Sequence, residues 1–419
     1  MIKLPKEVNK AMKALKEAGC QVYVTGDCMR EFTYGATPID WDLSTDGKIE
    51  KLKELFPEAQ IIDEDLGMIR FDYTKDQGED GIILDISTFR GKDGITDDIN
   101  KDLERRDFTI NALADNPSEA FLDPYGGRQD IKDKLIKMVG DPSIRFKEEP
   151  ILMMRAVRFA AELNYDLNKE LYQAILDNAE LLIETDPNFI RGEFEKIIVS
   201  ENAGKGLRML AGAELMPAII GDVAQNMTRR HMELFSILAD KIDTTYPVLT
   251  RRLGLFYLCF EKKSFSAIER LNYDEETNQH LKDALTLINK IYFIVNNIEL
   301  KQFLAKYGYD RYDYIHMLSK AQKNIYGNGE SKILSREHIL KEIKTKGEPI
   351  FIEDLAINGE DLLEEGIVQA DRVGEILLML TDLVHVKSTL NTRKDLLKYA
   401  KIYAKSKFRA SFRKVKWLK

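Results

Sequence analysis

The feature that most constrains the fold is a change of pattern near residue 141 of the 419-residue chain. Before it, short apolar runs typical of strands are mixed with segments of helical spacing. After Asp141 and Pro142, apolar residues recur every three to four positions from Ile151 to Leu397, and strand-like runs nearly disappear. Strands repeat every two residues and helices every 3.6, so the two patterns are separable. The sequence therefore predicts a small α/β unit followed by an all-helical remainder.

The segment before residue 141 predicts one opening helix and about five strands. Apolar residues from Leu4 to Ala18 recur at helical spacing, and Gly19 supplies a stop. The predicted strands lie at residues 21–25, 41–44, 60–62, 67–72 and 81–87. The expected fold class is therefore α+β, with a small mixed-sheet head followed by an elongated all-helical part.

Composition indicates a globular protein of the cytoplasm. Hydrophobic residues make up 44% of the chain and charged residues 32%, and no apolar run approaches the roughly 20 residues that span a bilayer. The segment from Met1 to Lys6 has no signal-peptide pattern. The three cysteines lack metal-binding spacing and cannot all pair, which favours a reducing compartment. We therefore expect a cytoplasmic protein with no membrane partner.

A basic C-terminus contrasts with the overall net charge of −8. Nine Lys or Arg residues and no acid occur from Lys398 to Lys419, interleaved with Phe408, Phe412 and Trp417. Such a helix can hold a nucleic-acid backbone. A solvated helix end that packs its aromatic rings on the body would give the same pattern. The candidate RNA-binding residues are Lys405, Lys407, Arg409, Arg413, Lys414 and Lys416.

Two aspartates at the start of an apolar strand are the sharpest chemical feature. Side chains alternate across a strand, so Asp40 and Asp42 project from the same face. Such a pair is costly without a cation, and Mg²⁺ prefers one or two carboxylates together with substrate phosphates. The pair can hold two ions about 3.5–4 Å apart. Taken alone, the spacing also fits surface carboxylates or a turn.

A glycine turn and a third acid accompany this pair. Gly26 and Asp27 follow a predicted strand and precede a helix start, where backbone amides can cradle a triphosphate, and Arg30 lies one turn further on. An ordinary strand–helix turn with Arg30 in a salt bridge is the alternative. Asp85 lies inside an apolar strand, so we expect it either to join the two aspartates and assist deprotonation of a hydroxyl or to face solvent at a sheet edge.

Two further segments carry arginines and polar groups at helical spacing. Arg106 can meet phosphate oxygens, and Asp107 and Asn111, one turn apart, can both reach a ribose hydroxyl. A charged helix start is the plain alternative for this segment. Arg155 and Arg158 project from one face of an otherwise apolar helix, which predicts an anionic partner: a nucleotide, or the two glutamates just upstream.

Taken together, these segments resemble the class II CCA-adding tRNA nucleotidyltransferases and bacterial poly(A) polymerases, a family of the polymerase beta superfamily. The resemblance covers nearly the whole chain, most closely residues 20 to 200. The matching segments follow the family's order at residues 23–30, 40–45, 88–90, 105–112, 123–127, 148–159, 192–197 and 356–362.

The resemblance implies a division into four parts. They are a nucleotidyltransferase head at residues 1–140, a helical neck at 141–205, a helical body at 206–345 and a helical tail at 346–419. In such a protein the neck selects the incoming nucleotide, while body and tail bind the acceptor arm and 3′ end of tRNA. CTP and ATP are the implied substrates and Mg²⁺ the implied cofactor.

The resemblance also implies roles for individual residues. Asp40 and Asp42 would bind Mg²⁺, Arg106 would bind the triphosphate, and Asp107 with Asn111 would bind the sugar. The reaction would add C and A to tRNA 3′ ends with release of pyrophosphate.

Two departures from the family pattern bear on this assignment. The family usually carries a second glycine where Asp27 stands, and its base-selecting motif has an aspartate and an arginine where Glu149 and Leu152 stand. Leucine cannot donate hydrogen bonds, and an unpaired buried polar group costs about 1–3 kcal/mol. Either a neighbour such as Arg155 substitutes, or selectivity is relaxed. The alternatives are therefore a poly(A) polymerase, a relaxed-specificity RNA 3′-nucleotidyltransferase, or a catalytically weak RNA-binding relative.

Overall fold

The computed structural model describes residues 4–33, 35, 38–74, 81–119, 121–327 and 333–405. The chain divides into two compact units, Met1–Ala218 and Ile219–Lys419. The finer division into head, neck, body and tail stays a prediction. Within the described ranges, no helix is both long enough and apolar enough to cross a membrane.

A six-stranded mixed sheet forms the centre of the first unit, with strand order β3-β4-β5-β2-β1-β8. The five predicted strands are all present in it, and β8 is a sixth strand of two residues, too short to predict. Within the described residues of this sheet, only the central β2–β5 pair is parallel. The strands are β1 Val22–Thr25, β2 Asp40–Thr45, β3 Gln60–Asp63, β4 Met68–Asp72, β5 Ile83–Thr88 and β8 Ala114–Asp115; two short pairs are β6 Arg90–Gly91 with β7 Gly94–Ile95 and β9 Leu135–Ile136 with β10 Asp166–Leu167.

One face of the sheet packs into the core and the other carries polar groups. On β2, Trp41 and Leu43 are almost fully buried, as are Leu84 and Ile86 on the neighbouring β5. The indole N–H of Trp41 donates to the carbonyl of Pro38 at 3.0 Å. Because side chains alternate, the residues between these core positions lie on the opposite face.

The change of pattern at residue 141 is a helix start. The Asp141 side chain accepts hydrogen bonds from the backbone N–H groups of Ser143 and Ile144, and Pro142 occupies the first helical turn, where its missing N–H costs nothing. The helices up to residue 212 are α1 Lys6–Glu17, α2 Asp27–Thr33, α3 Ile49–Leu55, α4 Ile99–Arg105, α5 Gly127–Asp133, α6 Pro142–Glu148, α7 Leu152–Leu163, α8 Lys169–Asn178, α9 Pro187–Val199 and α10 Ala203–Gly212.

From residue 216 onward the described chain is helical, as the sequence predicts. The longest helix, α16, changes direction at Gly308, whose φ of 81° lies in the left-handed region. The helices are α11 Met216–Ile220, α12 Arg229–Lys241, α13 Leu249–Leu258, α14 Ser264–Glu269, α15 Glu275–Ile291, α16 Asn297–Tyr326, α17 Ile333–Lys346, α18 Gly359–Glu364, α19 Val373–Val386 and α20 Arg393–Lys405.

A break in the helical chain follows the end of α17 at Lys346, next to the boundary between body and tail that the resemblance implies. A buried ion pair crosses this break, because Nζ of Lys301 on α16 lies 2.8 Å from a carboxylate oxygen of Glu348. The segments before and after the break therefore pack together within the second unit.

Candidate active site

The strand register brings the predicted aspartates onto one polar face. Asp42 of β2 pairs in parallel register with Asp85 of β5, so the two side chains lie on the same side of the sheet. Asp40 is two residues before Asp42 and shares its face. Asp40 is exposed and Asp42 is half-buried. Three carboxylates thus occupy adjacent positions at the centre of the sheet.

The turn at Gly26 closes directly over Asp42. Gly26 has a φ of 74°, and a Cβ atom built on it would lie 2.6 Å from the Oδ2 atom of Asp42. Thr25, the residue before the turn, is the antiparallel partner of Asp42. Glycine is therefore required twice at this position, for its left-handed backbone and for the space that the carboxylate occupies.

Arg106 lies beside the same pair of strands and is held by four contacts. Its Nη2 atom donates to Oδ2 of Asp102 at 2.8 Å, to the hydroxyl of Ser44 at 2.9 Å and to the hydroxyl of Thr25 at 3.4 Å, while Nε also reaches Asp102 at 3.2 Å. Burial alone would lower the pKa of Arg106, but Asp102 and Asp42 outweigh it and raise the pKa. The guanidinium is thus fixed and permanently charged near Asp42.

Asp42 lies in a partly buried position among other acidic side chains, which disfavours its charged form. Its pKa is raised to about 7, mainly by burial and also by Asp27, Asp85 and Asp40, against the lowering effect of Arg106. A divalent cation would relieve this repulsion, and the donors are all oxygens, as Mg²⁺ prefers. Within the described ranges, no three acidic, His or Cys side chains are grouped so as to hold a metal ion. The residues therefore fit a site of two carboxylates that substrate oxygens complete.

Asp85 is engaged by a strand neighbour. Both of its carboxylate oxygens accept hydrogen bonds from Arg70 of β4, each at 2.7 Å, and Arg70 is its partner in the antiparallel β4–β5 register. Asp85 is neither solvated at a sheet edge nor free to act as a base while this bidentate pair is intact. Its role in deprotonation stays a prediction.

A second set of predicted residues forms a chain of hydrogen bonds that ends in an ion pair. Arg30 is buried, and its Nη1 donates to Asp27 at 2.7 Å and to the side-chain oxygen of Asn111. Asn111 in turn donates to Asp107 at 3.1 Å, and Nη2 of Arg155 lies 2.7 Å from the other oxygen of Asp107. The predicted phosphate turn and the predicted sugar-binding residues are thus connected through Arg30.

The two residues at the positions predicted to select the base, Glu149 and Leu152, differ in exposure. Glu149 is exposed just after α6 ends, whereas Leu152, the first residue of α7, is 1% exposed and belongs to the core. Arg155 lies one turn further along; it is half-buried and pairs with Asp107. Arg158 donates hydrogen bonds to the carboxylates of Glu193 at 2.6 Å and Glu162 at 2.8 Å.

The alternative expectation, that the two arginines pair with the glutamates just upstream, is wrong. Neither Arg155 nor Arg158 pairs with the upstream glutamates; Glu148 instead accepts from Arg105 at 3.1 Å. The guanidinium of Arg158 also lies 4.0 Å from the centre of the Phe159 ring. Its placement is that of an intramolecular ion pair, so its nucleotide-binding role stays a prediction.

The predicted RNA-binding tail falls mostly outside the described residues. Lys405 is the last residue of α20 and is exposed. The others, Lys407, Arg409, Arg413, Lys414 and Lys416, lie outside the described ranges.

Sequence reasoning missed the residues that hold the predicted ones in place. Asp102 and the hydroxyls of Ser44 and Thr25 fix Arg106, and Arg70 fixes Asp85. The position of Arg70 in an otherwise apolar strand was a usable signal, because an isolated charge there needs a partner on the next strand.

Comparison with known families agrees with this geometry. Residues 22–137 match the profile described as "Poly A polymerase head domain", and residues 164–227 match "Probable RNA and SrmB- binding site of polymerase A". The first match spans β1 through β9 and contains every site residue that the sequence predicts in the head, from Gly26 to Asn111.

Similar proteins extend over nearly the full chain. A CCA-adding enzyme of Lactiplantibacillus plantarum is 28% identical, covering 97% of this chain and 99% of that protein. One from Lactobacillus delbrueckii subsp. bulgaricus is 34% identical over 208 residues, 47% of this chain and 51% of that protein.

Solved structures establish the same fold. The Bacillus stearothermophilus CCA-adding enzyme in complex with CTP is similar with a TM-score of 0.77 at 23% identity, covering 96% of this chain and 98% of that one. The Thermotoga maritima CCA-adding enzyme complexed with tRNA has a TM-score of 0.64 at 21% identity, covering 96% of each chain. The strand register at Asp42, the glycine turn and the two profile matches lead to one conclusion: the chain belongs to the nucleotidyltransferase family of CCA-adding enzymes and bacterial poly(A) polymerases.

Proposed function

We propose that this protein adds C and A to the 3′ end of tRNA from CTP and ATP without a nucleic-acid template. The observation that carries the proposal is the placement of Asp40 and Asp42 on one strand face under the Gly26 turn, beside a fixed Arg106. In the reaction, the RNA 3′-hydroxyl attacks the α-phosphorus. The new O3′–P bond forms, the bond to the β-phosphate oxygen breaks, the hydroxyl proton is lost and pyrophosphate leaves.

Family members generally use a divalent metal ion, and we propose Mg²⁺ held by Asp40 and Asp42. When bound, it would lower the pKa of the attacking hydroxyl and offset charge on the leaving pyrophosphate. The protein's own part is to hold the two carboxylates on one face and to keep Asp42 half-buried behind Gly26. A rigid arrangement of this kind needs no rearrangement when charge develops.

Arg106 is proposed to bind the triphosphate. It is fixed by Asp102 and two hydroxyls, and 22% of its side chain is exposed. Because Nε and Nη2 are already engaged, the Nη1 group is the part of this oriented guanidinium that can donate to phosphate oxygens, at little entropic cost. Gly26 and Asp27 supply the turn over the phosphates, and Arg30 supports that turn from beneath.

The sugar and the base are proposed to meet the chain of polar residues next to the turn. Asp107 and Asn111 supply ribose contacts, and Arg155 and Glu149 are the groups closest in sequence that can address the base. The Nε atom of Arg155 has no hydrogen-bond partner among the described residues, so this guanidinium retains donor capacity. A carboxylate such as Glu149 can accept from the amino group of cytosine or adenine.

A second candidate, A-only or relaxed addition, is favoured by one observation. Leu152 is buried at the start of α7 and offers no donor at the position where the family's arginine is expected. Discrimination between bases through hydrogen bonds fails when the protein group is missing. The chemistry proposed above is the same for either outcome.

The second unit and the basic C-terminus are proposed to bind the acceptor arm of tRNA in the cytoplasm. The excess of cations after Lys398 fits a phosphate backbone, and recognition would rest on shape and the 3′ end. The parts proposed are a head at 1–140, a neck at 141–205, a body at 206–345 and a tail at 346–419. Removal of residues 405–419 is expected to raise KM for tRNA with little change for ATP; an unchanged KM for tRNA would contradict the tail assignment.

The decisive experiment is extension of tRNA transcripts that end at the discriminator base, at C or at CC. Each is offered labelled CTP or ATP separately, with Mg²⁺ or with EDTA. Ordered addition of two C and one A, abolished by EDTA, is expected. Addition of A alone or of untemplated runs would replace the proposal by the second candidate. Failure of every substrate, with RNA binding intact, would leave a catalytically weak RNA-binding relative.

A further inference from the structure

A cavity in the second unit is lined by residues that the proposed reaction does not use. It has a volume of about 770 Å³ and lies between the start of α12, the turn after α13, and the facing sides of α15 and α16. This volume is in the range of small-molecule sites and is large enough for one nucleotide. All of its lining residues belong to the second unit.

The interior of the cavity is apolar and aromatic. Leu258, Leu285 and Ile288 form part of its wall, and Phe265, on the first turn of α14, stands at its mouth with 42% of its surface exposed. An exposed phenylalanine at the edge of an apolar cavity offers a face on which a planar ring can stack. The interior therefore suits a flat, largely apolar group better than a small ion.

One wall carries a hydrogen-bonding group that is not fully used. The side-chain oxygen of Gln322 on α16 accepts from the hydroxyl of Tyr292, the residue after α15, at 2.7 Å. The NH₂ group of Gln322 has no hydrogen-bond partner among the residues that the structure describes. Two donors held at the wall of an apolar cavity match the acceptor atoms on the edge of a nucleobase.

The rim is positively charged. Arg230, Lys262 and Lys263 lie around it against a single carboxylate, Glu261, which pairs with Arg230 at 2.7 Å. Lys263 is held at the rim because it donates to the backbone carbonyl of Asn226 at 2.7 Å, and no carboxylate neutralises it within the described ranges. Two cations are therefore available to phosphate groups that flank a base inside the cavity.

The neighbouring sequence indicates RNA as the source of that nucleotide. The segment that matches the RNA-binding profile ends at residue 227, and Thr228, the next residue, lines the cavity. Asn226, whose carbonyl fixes Lys263, is inside that segment. The charged rim is thus continuous with a stretch of chain already described as RNA-binding.

We propose that this cavity binds one unpaired nucleotide of an RNA, with its base stacked on Phe265 and its phosphates on Lys262 and Lys263. Base stacking combined with a cationic rim is how proteins hold single-stranded nucleotides. The inference rests on the proposed function, because tRNA is the RNA that the protein would meet. It adds a binding site for RNA that is separate from the proposed reaction site.

The test is RNA binding measured by fluorescence anisotropy on the full chain, with a labelled tRNA transcript and with a labelled oligoadenylate. Two cavity variants are compared with the wild type: a double variant, Lys262→Ala with Phe265→Ala, and a single variant, Gln322→Leu. The matched control is Lys282→Ala with Tyr246→Ala, which removes an exposed lysine and an exposed ring elsewhere in the same unit. Melting temperatures of all variants establish that they are folded.

The cavity double variant is expected to raise Kd for RNA about tenfold, as loss of one stacked base and one phosphate contact would do. Gln322→Leu is expected to raise it about threefold, since one polar contact is lost. The control should stay within about twofold, as surface changes usually do.

Two results would overturn the inference. An unchanged Kd for both RNAs in the folded cavity variants would remove the site while leaving the proposed reaction untouched. If the cavity variants lose binding of AMP or CMP while their Kd for both RNAs does not change, the cavity is a site for free nucleotides instead. The readout is binding, so a wild-type protein that binds RNA but adds no nucleotide would contradict the proposed function and not this site.

Discussion

The strand face at Asp40 and the start of helix α7 belong to the same unit, but they differ in how many residues of the family pattern they retain. The strand face has both carboxylates, the glycine turn and an oriented arginine. The helix start has an exposed Glu149 and a buried Leu152 where donors to a base were expected. The residues proposed for nucleotide transfer and those proposed for nucleotide selection therefore lie on different secondary-structure elements, so that one set can change while the other is kept.

The largest expected effect tests the strand face. Asp42→Asn should lower nucleotide incorporation more than about 100-fold, because loss of a metal ligand costs more than loss of an outer partner, typically 10–100-fold. Incorporation of labelled nucleotide into tRNA is the measurement. Asp93→Asn, an exposed aspartate in the β6–β7 turn, is the matched control and should behave like wild type. Normal activity of Asp42→Asn would mean that the strand face is not the reaction site.

The next prediction tests the helix start. Leu152→Ala should lower the free energy of unfolding by about 2–5 kcal/mol, as for a buried leucine, and should leave the ratio of C to A incorporation unchanged. Leu152→Met should cost less than about 1.5 kcal/mol because volume is conserved. Urea unfolding and competition between CTP and ATP are the measurements. A shifted ratio in the Met variant would show that Leu152 contacts the base after all.

Gly26 allows a sharper test of the turn. Gly26→Ala should lower kcat about tenfold, since its Cβ would collide with Oδ2 of Asp42, while Gly19→Ala should not. Both glycines have a positive φ, 74° and 81°, so both substitutions carry a similar backbone cost of about 1 kcal/mol. No atom lies within 4 Å of a Cβ built on Gly19. Equal kinetic effects of the two substitutions would attribute the loss to stability instead.

The smallest effect concerns the link between the two regions. Arg155→Met removes the ion pair with Asp107 and should raise KM for nucleotides about threefold, because the pair is partly exposed and worth at most about 1 kcal/mol. Lys169→Met, an exposed lysine at the start of α8, is the control. A large change in kcat with unchanged KM would place Arg155 at the reacting phosphate.

Local pattern was sufficient to predict the sheet, the helical remainder and the alignment of Asp40 with Asp42. Alternation fixes which side chains share a strand face, and the Asp141–Pro142 helix start is readable from capping chemistry. Ion pairs and hydrogen bonds between residues far apart in sequence could not be predicted from local pattern. Arg158 pairs with Glu193 and not with the nearby glutamates, because helix packing brings α9 alongside α7.

The parallel register of Asp42 with Asp85 also determines when the site can form. The two strands are joined through α3, β3 and β4, so β4 and β5 can first pair as neighbours and only then dock on β2. Contacts between residues far apart in sequence are made late, after the entropy of closing the intervening chain has been lost. Repulsion between Asp85 and the two aspartates of β2 therefore arises only when β5 docks on β2. During synthesis, a nascent chain that has not yet reached β5 carries Asp40, Asp42 and the Gly26 turn but lacks Arg106, which follows β5 in the sequence.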